Sequence, residues 1–354
     1  MDQGLHDRHG NETNGTSSDN EGNWLRNLES IYLSIGPVFS WTVIAVGALG
    51  ITGNILTLLV YSRLGFVATI NISYTALAVS DLLCVLTSMV FGFRHAGIPL
   101  PGLSARVSEE VLKLVGAYPH FAFSRTTGLL TAWISLERCI CVVFPTRVKV
   151  MISRTVTQVA ITACFVLGCF PLVFVYAVYK IERRLNPDTN STSLALLSIG
   201  GPVQEKLEGT TLFLFAVVYP LVSYVSVTAC TVSLVIKLQK STKWRRTNAT
   251  AAARGESSYQ IAPARDLRVT RVVVVVAVVF LACSLPTAAQ LVTVATVDGY
   301  TTIGHLRFLR LINGMVTLLF AEVNSSLNIV IFTVSGQRFR SVLLQIIANW
   351  VYRR

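Results

Sequence analysis

The chain has 354 residues, of which 52% are hydrophobic and 14% charged, with a mean hydropathy of +0.59. That balance excludes an ordinary soluble domain and a disordered chain, and it points to a polytopic membrane protein. The net charge of +12 does not indicate a nucleic-acid partner, because the basic residues gather in short segments beside apolar runs instead of along one polar face.

The first 31 residues are polar and hold two N-glycosylation sequons, at Asn11 and Asn14. They predict an extracellular, glycosylated tail over 1–31. No apolar signal peptide precedes them, so the first crossing is expected to serve as the targeting segment. Seven apolar runs follow, near 32–60, 71–95, 113–143, 156–179, 208–238, 267–297 and 304–334. Each is long enough for a helix to cross a hydrocarbon core, which takes about 20 residues. In lipid, backbone polar groups must pair within the segment. The expected fold is an all-α membrane protein, a seven-transmembrane helix bundle over 32–335, with 336–354 forming a short amphipathic helix and cytoplasmic tail. In that last stretch Phe339, Val342, Leu343, Ile346 and Ile347 recur at helical spacing beside Arg338 and Arg340, as in a helix lying on a membrane face.

Arg147, Lys149 and Arg154, the cluster from Lys237 to Arg271, and Arg338 to Arg354 fall on one side if the N-terminus is outside. The positive-inside bias therefore predicts a plasma-membrane protein with its N-terminus extracellular and its C-terminus cytoplasmic. The longest outer loop, about 180–207, carries a sequon at Asn190 and turn signals at Asn186-Pro187-Asp188 and Gly200-Gly201-Pro202. The longest inner loop is expected at about 239–266. All seven cysteines lie in or beside crossings, so no disulfide is predicted. Gly47, Gly50 and Gly53 recur every third residue in the first crossing, a pattern for close helix packing.

Ionisable and polar groups within crossings are costly, and each is a functional hypothesis by default. In the third crossing His120, Ser124, Thr127, Thr131 and Arg138 fall on one helical stripe about 27 Å long. Such a stripe must face protein or water. Asp81 of the second crossing is expected at the same depth as Asn54, Thr127, Asn324, Ser325 and Asn328. These residues form either a structural hydrogen-bond network or a sodium site at Asp81, since one carboxylate among hydroxyls and amides suits a small hard cation. Glu322 lies about 9 Å outward of Asn328, where an unpaired carboxylate is neutral or has a partner; His120 and Arg125 are the candidates. At the inner edge Arg138 can pair with Glu137 or with Asp266, two competing states that read as a switch. Pro171, Pro220 and Pro286 fall inside crossings and can kink them. Pro286 then supplies a pivot for the sixth helix.

Gly53-Asn54, Leu77-Ala78-Val79-Ser80-Asp81, Glu137-Arg138-Cys139, Cys283-Ser284-Leu285-Pro286 and Asn324-Ser325-Ser326-Leu327-Asn328-Ile329-Val330-Ile331-Phe332 resemble, in order and spacing, the motifs of the rhodopsin-like (class A) G-protein-coupled receptors. The resemblance covers about 31–348. Ser284 stands in place of the family's toggle tryptophan, and Phe332 in place of a tyrosine whose hydroxyl serves the active state. Within the family, the runs 71–82 and 137–149 resemble chemosensory receptors of gastropod molluscs and are also similar to invertebrate neuropeptide receptors. The resemblance implies that a small-molecule or peptide ligand is bound by His120, Ser124, Arg125, Thr287 and Glu322. Glu137, Arg138, Asp266, Ser284, Pro286 and Phe332 are the implied activation switch, and the implied partners are a heterotrimeric G protein and the lipid bilayer. His120 stands where amine receptors carry an aspartate, and Glu322 where opsins carry the retinal lysine, so neither an aminergic ligand nor a Schiff base is expected. No enzyme motif and no cofactor site other than the candidate sodium is present in the sequence. A membrane transporter is the rival class; it predicts inverted repeats with broken helices.

Overall fold

The computed structural model describes residues 9–95, 111–144, 148–186, 191–252, 264–300 and 304–351. Side chains are described from Asn23 onward, except at 91, 93–95, 149–150, 181, 183–186, 191–196, 241–252 and 264–268. Seven helices are long and apolar enough to cross a membrane: Asn23–Leu64, Thr69–Val90, Lys113–Val143, Arg154–Val178, Gly201–Lys240, Val269–Thr296 and Arg307–Ser335. We call them the first to seventh spans. The first packs on the second and seventh, the third on the second, fourth and fifth, and the sixth on the fifth and seventh.

The sequence explains the ends of several spans. Gly65, at φ 76°, stops the first helix, because only glycine enters that region at no cost. Ser153 caps the fourth span by accepting from the Val156 backbone N–H at 3.2 Å. Pro171 opens a second helical segment, Pro171–Val178, where the fourth span breaks after Cys169. Pro119 and Pro220 each follow a short π-helical stretch, Lys113–Ala117 and Leu214–Val218. A proline supplies no N–H to the preceding turn, and the wider π turn takes up the lost register. Pro286 instead lies inside an unbroken helix, Ala264–Thr296.

The first and fifth helices run past their predicted ends, from His9 to Leu64 and from Tyr219 to Ala252. The predicted tail and inner loop are therefore helical over 9–31 and 239–252. Between the fourth and fifth spans, β1 (Tyr179–Asn186) and β2 (Ser191–Ser198) form an antiparallel hairpin, with Tyr179 opposite Ser198 and Asn186 opposite Ser191. The strand pair lies in the loop between these spans and leaves the expected seven-helix bundle unchanged. Past the seventh span, Gln337–Val351 forms the expected amphipathic helix, burying Phe339, Leu343 and Ile346; Ile347 is exposed. The end of the bundle that carries β1 and β2 is called the hairpin end, and the opposite one the tail end.

Outward faces of the spans are apolar and exposed, for example Leu33, Val166, Val225 and Leu285, as lipid contact requires. Lipid is itself apolar, so cohesion between spans comes from close packing and interhelical hydrogen bonds. The glycine stripe of the first span does this. A Cβ at Gly47 would lie 2.7 Å from Glu322 Oε1, and one at Gly53 2.8 Å from Ile329 Cγ2, while at Gly50 it would collide with Ser326 Oγ. At the tail end Leu77, Leu130, Ile134, Leu234, Val273 and Phe332 form the main apolar core.

Candidate functional site

Toward the hairpin end, a cavity of about 140 Å³ lies between the third, sixth and seventh spans, with His120, Ser124, Arg125, Thr287, Gln290 and Ala321 in its wall. A second lobe of about 30 Å³, sharing Ser124, Arg125 and Thr287, reaches deeper to Thr127, Ser284, Asn324 and Ser325. That volume holds a water molecule. Four of the five predicted ligand residues thus meet in one place. The small Ser284 side chain borders the deep lobe, where a tryptophan would add much more bulk.

Glu322 is the exception. It is 0% exposed and is absent from both cavity walls. It accepts a short hydrogen bond from Ser88 of the second span, and neither His120 nor Arg125 pairs with it. Its other oxygen has no hydrogen-bond partner among the described residues. The seventh helix turns about 100° per residue, which puts Ala321 on the cavity and carries Glu322 round toward Gly47 and Ser88. Glu322 thus stands at a contact between the first, second and seventh spans, away from the two cavity walls. Glu322→Gln is expected to leave an agonist dose–response curve unshifted, since the amide still accepts from Ser88; a shift of about tenfold, or 1.4 kcal/mol, would restore the ligand role. His120 is 1% exposed, with Nδ1 3.3 Å from the Cys84 carbonyl and 3.5 Å from Cys84 Sγ, so the second span fixes its ring.

Below the cavity, Asp81 is 0% exposed. Thr127 Oγ1 donates to Oδ1 at 2.9 Å, and Asn328 Nδ2 donates to Oδ2 at 2.6 Å. The Ser325 hydroxyl lies beside this carboxylate, and Ser80 Oγ lies 3.0 Å from Thr127 Oγ1. The second, third and seventh spans are thereby joined at one carboxylate. Asn54 takes part differently from the expectation. Its Nδ2 donates to the Ser325 and Gly50 carbonyls at 2.9 and 3.0 Å, tying the first span to the seventh backbone without touching Asp81. Asn324 faces the deep lobe and makes no described bond to the carboxylate.

At the tail end, Glu137 is 0% exposed and accepts from Thr69 Oγ1 at 2.6 Å, Ser73 Oγ at 2.9 Å and Arg138 Nη2 at 3.0 Å. The Arg138 side chain is 12% exposed. Of the two pairings expected for Arg138, the one with its neighbour is formed; the Asp266 side chain lies outside the described residues. Phe332 packs 4.8 Å from Tyr74, 5.7 Å from Tyr61 and 5.5 Å from Phe339, centroid to centroid. An aromatic cluster therefore fills the place of the missing hydroxyl, and the Tyr74 hydroxyl inside it is buried without a hydrogen-bond partner among the described residues. The expected glycosylation residues Asn11 and Asn14 (side chains) and Asn190 lie outside the described residues.

Sequence reasoning missed Thr69, Ser73, Cys84 and Ser88, the partners supplied by the second span. With Ser80 they are spaced by four, seven, four and four residues, a helical stripe matching the one on the third span. Gln290, Tyr224 and Phe280 of the cavity walls carry no comparable signal, because single aromatic or amide residues in an apolar run look like packing.

Comparison with known proteins agrees with this architecture. An FMRFamide receptor of Drosophila melanogaster is 22% identical over 340 residues, which cover 93% of this chain and 58% of the fly protein. The chain thus spans 58% of the length of that curated relative. Residues 53–332 match the family described as 7 transmembrane receptor (rhodopsin family). That match runs from the first span to Phe332 and takes in the walls of both cavities apart from Phe39, the Asp81 network and the Glu137–Arg138 pair; the chain belongs to the rhodopsin-like G-protein-coupled receptors, which are signalling receptors and not enzymes.

Proposed function

We propose that this receptor binds a small extracellular ligand in the cavity bounded by His120, Ser124, Arg125 and Thr287 and activates a heterotrimeric G protein at the tail end, in a chemosensory role. The hairpin end then faces outward and the tail end the cytoplasm, in keeping with the basic segments. The observation that carries the reading is continuity. The cavity shares Ser124, Arg125, Thr287 and Ala321 with the water-sized one beside it, which reaches Thr127, and Thr127 bonds Asp81. A polar path therefore leads from the cavity into the packing of three spans. A ligand biases this arrangement only through different affinity for its two states. In the resting state Glu137 holds Arg138; in the active state the pair separates and the sixth span moves, opening a cleft for the G protein.

Asp81, Thr127 and Ser325 together present carboxylate and hydroxyl oxygens, a donor set that fits sodium. When bound, the ion would neutralise the carboxylate between the three spans.

The cavity size favours a small ligand. Drug-sized ligands occupy pockets of roughly 300–1,000 Å³, whereas the main lobe measures about 140 Å³. It fits an amino-acid-sized molecule or the end group of a peptide. A neuropeptide is the second reading, favoured by the fly relative, whose name is that of an FMRFamide receptor. Nucleotide exchange on a promiscuous G protein, driven by the expressed receptor, tests both. Exchange evoked by small organic molecules supports the first reading, and exchange evoked by peptides alone supports the second. Ligand flux across proteoliposomes without exchange would contradict both.

A further inference from the structure

We infer that Arg125 is an anion anchor and that the ligand carries a carboxylate. The inference rests on the cavity being the ligand site, as proposed above. Arg125 lies about 20 Å along the third helix from Arg138, well inside a bilayer core about 30 Å thick. It faces the interior and borders both cavity lobes, so it does not reach lipid headgroups. Its Nε is buried without a hydrogen-bond partner among the described residues. A guanidinium is always charged and has five donors in a planar fork.

The described acids of the interior are committed elsewhere. Asp81 is held by Thr127 and Asn328, Glu322 is bonded by Ser88, and Glu137 by Thr69, Ser73 and Arg138. None forms an ion pair with Arg125. A buried charge without a partner is expensive, and a fastening role would require an acceptor on a neighbouring helix. The space beside Arg125 is instead a cavity with further donors on its wall. Gln290 accepts from Thr317 through Oε1 at 3.0 Å, which leaves its amide N–H groups to donate. The hydroxyls of Ser124 and Thr287 also line the cavity. Donors around one planar cation match a planar oxyanion, which a guanidinium binds through two parallel bonds. At this cavity size the carboxylate comes either from a free amino-acid-sized acid or from the C-terminus of a peptide.

The test uses the full chain in lipid nanodiscs and follows its thermal unfolding. The probes are N-acetyl amino acids and tripeptides, each as the free C-terminal acid and as the primary amide. An acid is expected to raise the melting temperature where its amide at equal concentration does not. The N-acetyl amino acids acting alone would identify a free small acid as the source, and the tripeptides acting alone a peptide terminus. Arg125→Gln should weaken binding of the active acid about thirtyfold or more, and Arg125→Lys, which keeps the charge but not the fork, should weaken it less. Without ligand, Arg125→Gln should melt no lower than the wild type, because it removes an uncompensated charge. Amides as effective as acids, no acid effective at all, a shift that survives Arg125→Gln, or a large drop in the ligand-free melting temperature of that variant would each overturn the assignment. If a neutral small molecule drives nucleotide exchange and its potency is unchanged by Arg125→Gln, the anion anchor fails while the receptor reading stands.

Discussion

Arg138→Ala abolishes ligand-driven nucleotide exchange while the receptor still reaches the cell surface. The two halves of this expectation have separate physical grounds. The Arg138 side chain is partly exposed at the tail end, and its loss removes only one of three donors to Glu137, leaving Thr69 and Ser73 in place. A charge-assisted hydrogen bond contributes about 1.5–3 kcal/mol, which a bundle bonded at several depths can lose and remain folded. Coupling is different. In the proposed active state Arg138 leaves Glu137 and serves the open cleft, a role alanine cannot fill. Surface immunolabelling and nucleotide exchange, measured on the same cells, check both halves. Normal exchange in the variant would remove Arg138 from the switch, and loss of surface labelling would reassign it to folding.

Asn328→Ala is expected to produce the largest loss of stability among single substitutions in the polar track. It leaves Asp81 Oδ2 without its 2.6 Å donor in a fully buried position. An unsatisfied buried group costs about 1–3 kcal/mol, and more when charged, so the cost here is about 3 kcal/mol. At about 2–4 °C per kcal/mol for a chain of 150–250 residues, and less for a longer one, the melting temperature in nanodiscs should fall by on the order of 5–10 °C. Asp81→Asn in the same background should recover much of that, because an amide does not need the lost charge-assisted bond. The coupling energy of the pair, read from a double-mutant cycle, should reach about 1 kcal/mol or more. Strict additivity would mean that the two residues do not act as one unit.

The spans were legible because a bilayer imposes a length and composition that no loop shares. Their boundaries shifted most where the helix leaves the apolar zone. Residues 9–22 and 241–252 are polar, so hydropathy gives no reason to continue a helix there, although backbone hydrogen bonding does. Asn186-Pro187-Asp188 is a turn signal, and Tyr179, Ile181 and Leu185 alternate with polar neighbours, but Leu194-Ala195-Leu196-Leu197 is a continuous apolar run without the alternation of a half-buried strand. The Asp81 network was read from depth alone, and the structure places Thr127 and Asn328 on the carboxylate. Depth without rotation does not separate Glu322 and Asn54, which bond neighbouring helices, from the residues on the carboxylate. The Ala321–Glu322 step moves a side chain about 100° around the helix, which is the difference between a cavity wall and a helix contact. The Glu137–Arg138 pair was visible as adjacent letters. Its other two hydrogen bonds were not, because Thr69 and Ser73 come from another helix.

In the proposed mechanism the Glu137–Arg138 pair is the latch at the end of the polar track. Basal nucleotide exchange by Glu137→Gln beside the wild type, at equal receptor density and without ligand, tests this most directly. A neutral glutamine can still accept from Thr69 through its oxygen and donate to Ser73 Oγ through its amide N–H, but it loses the charge that holds Arg138, so basal exchange should rise about fivefold or more. Basal exchange equal to that of the wild type would contradict the latch.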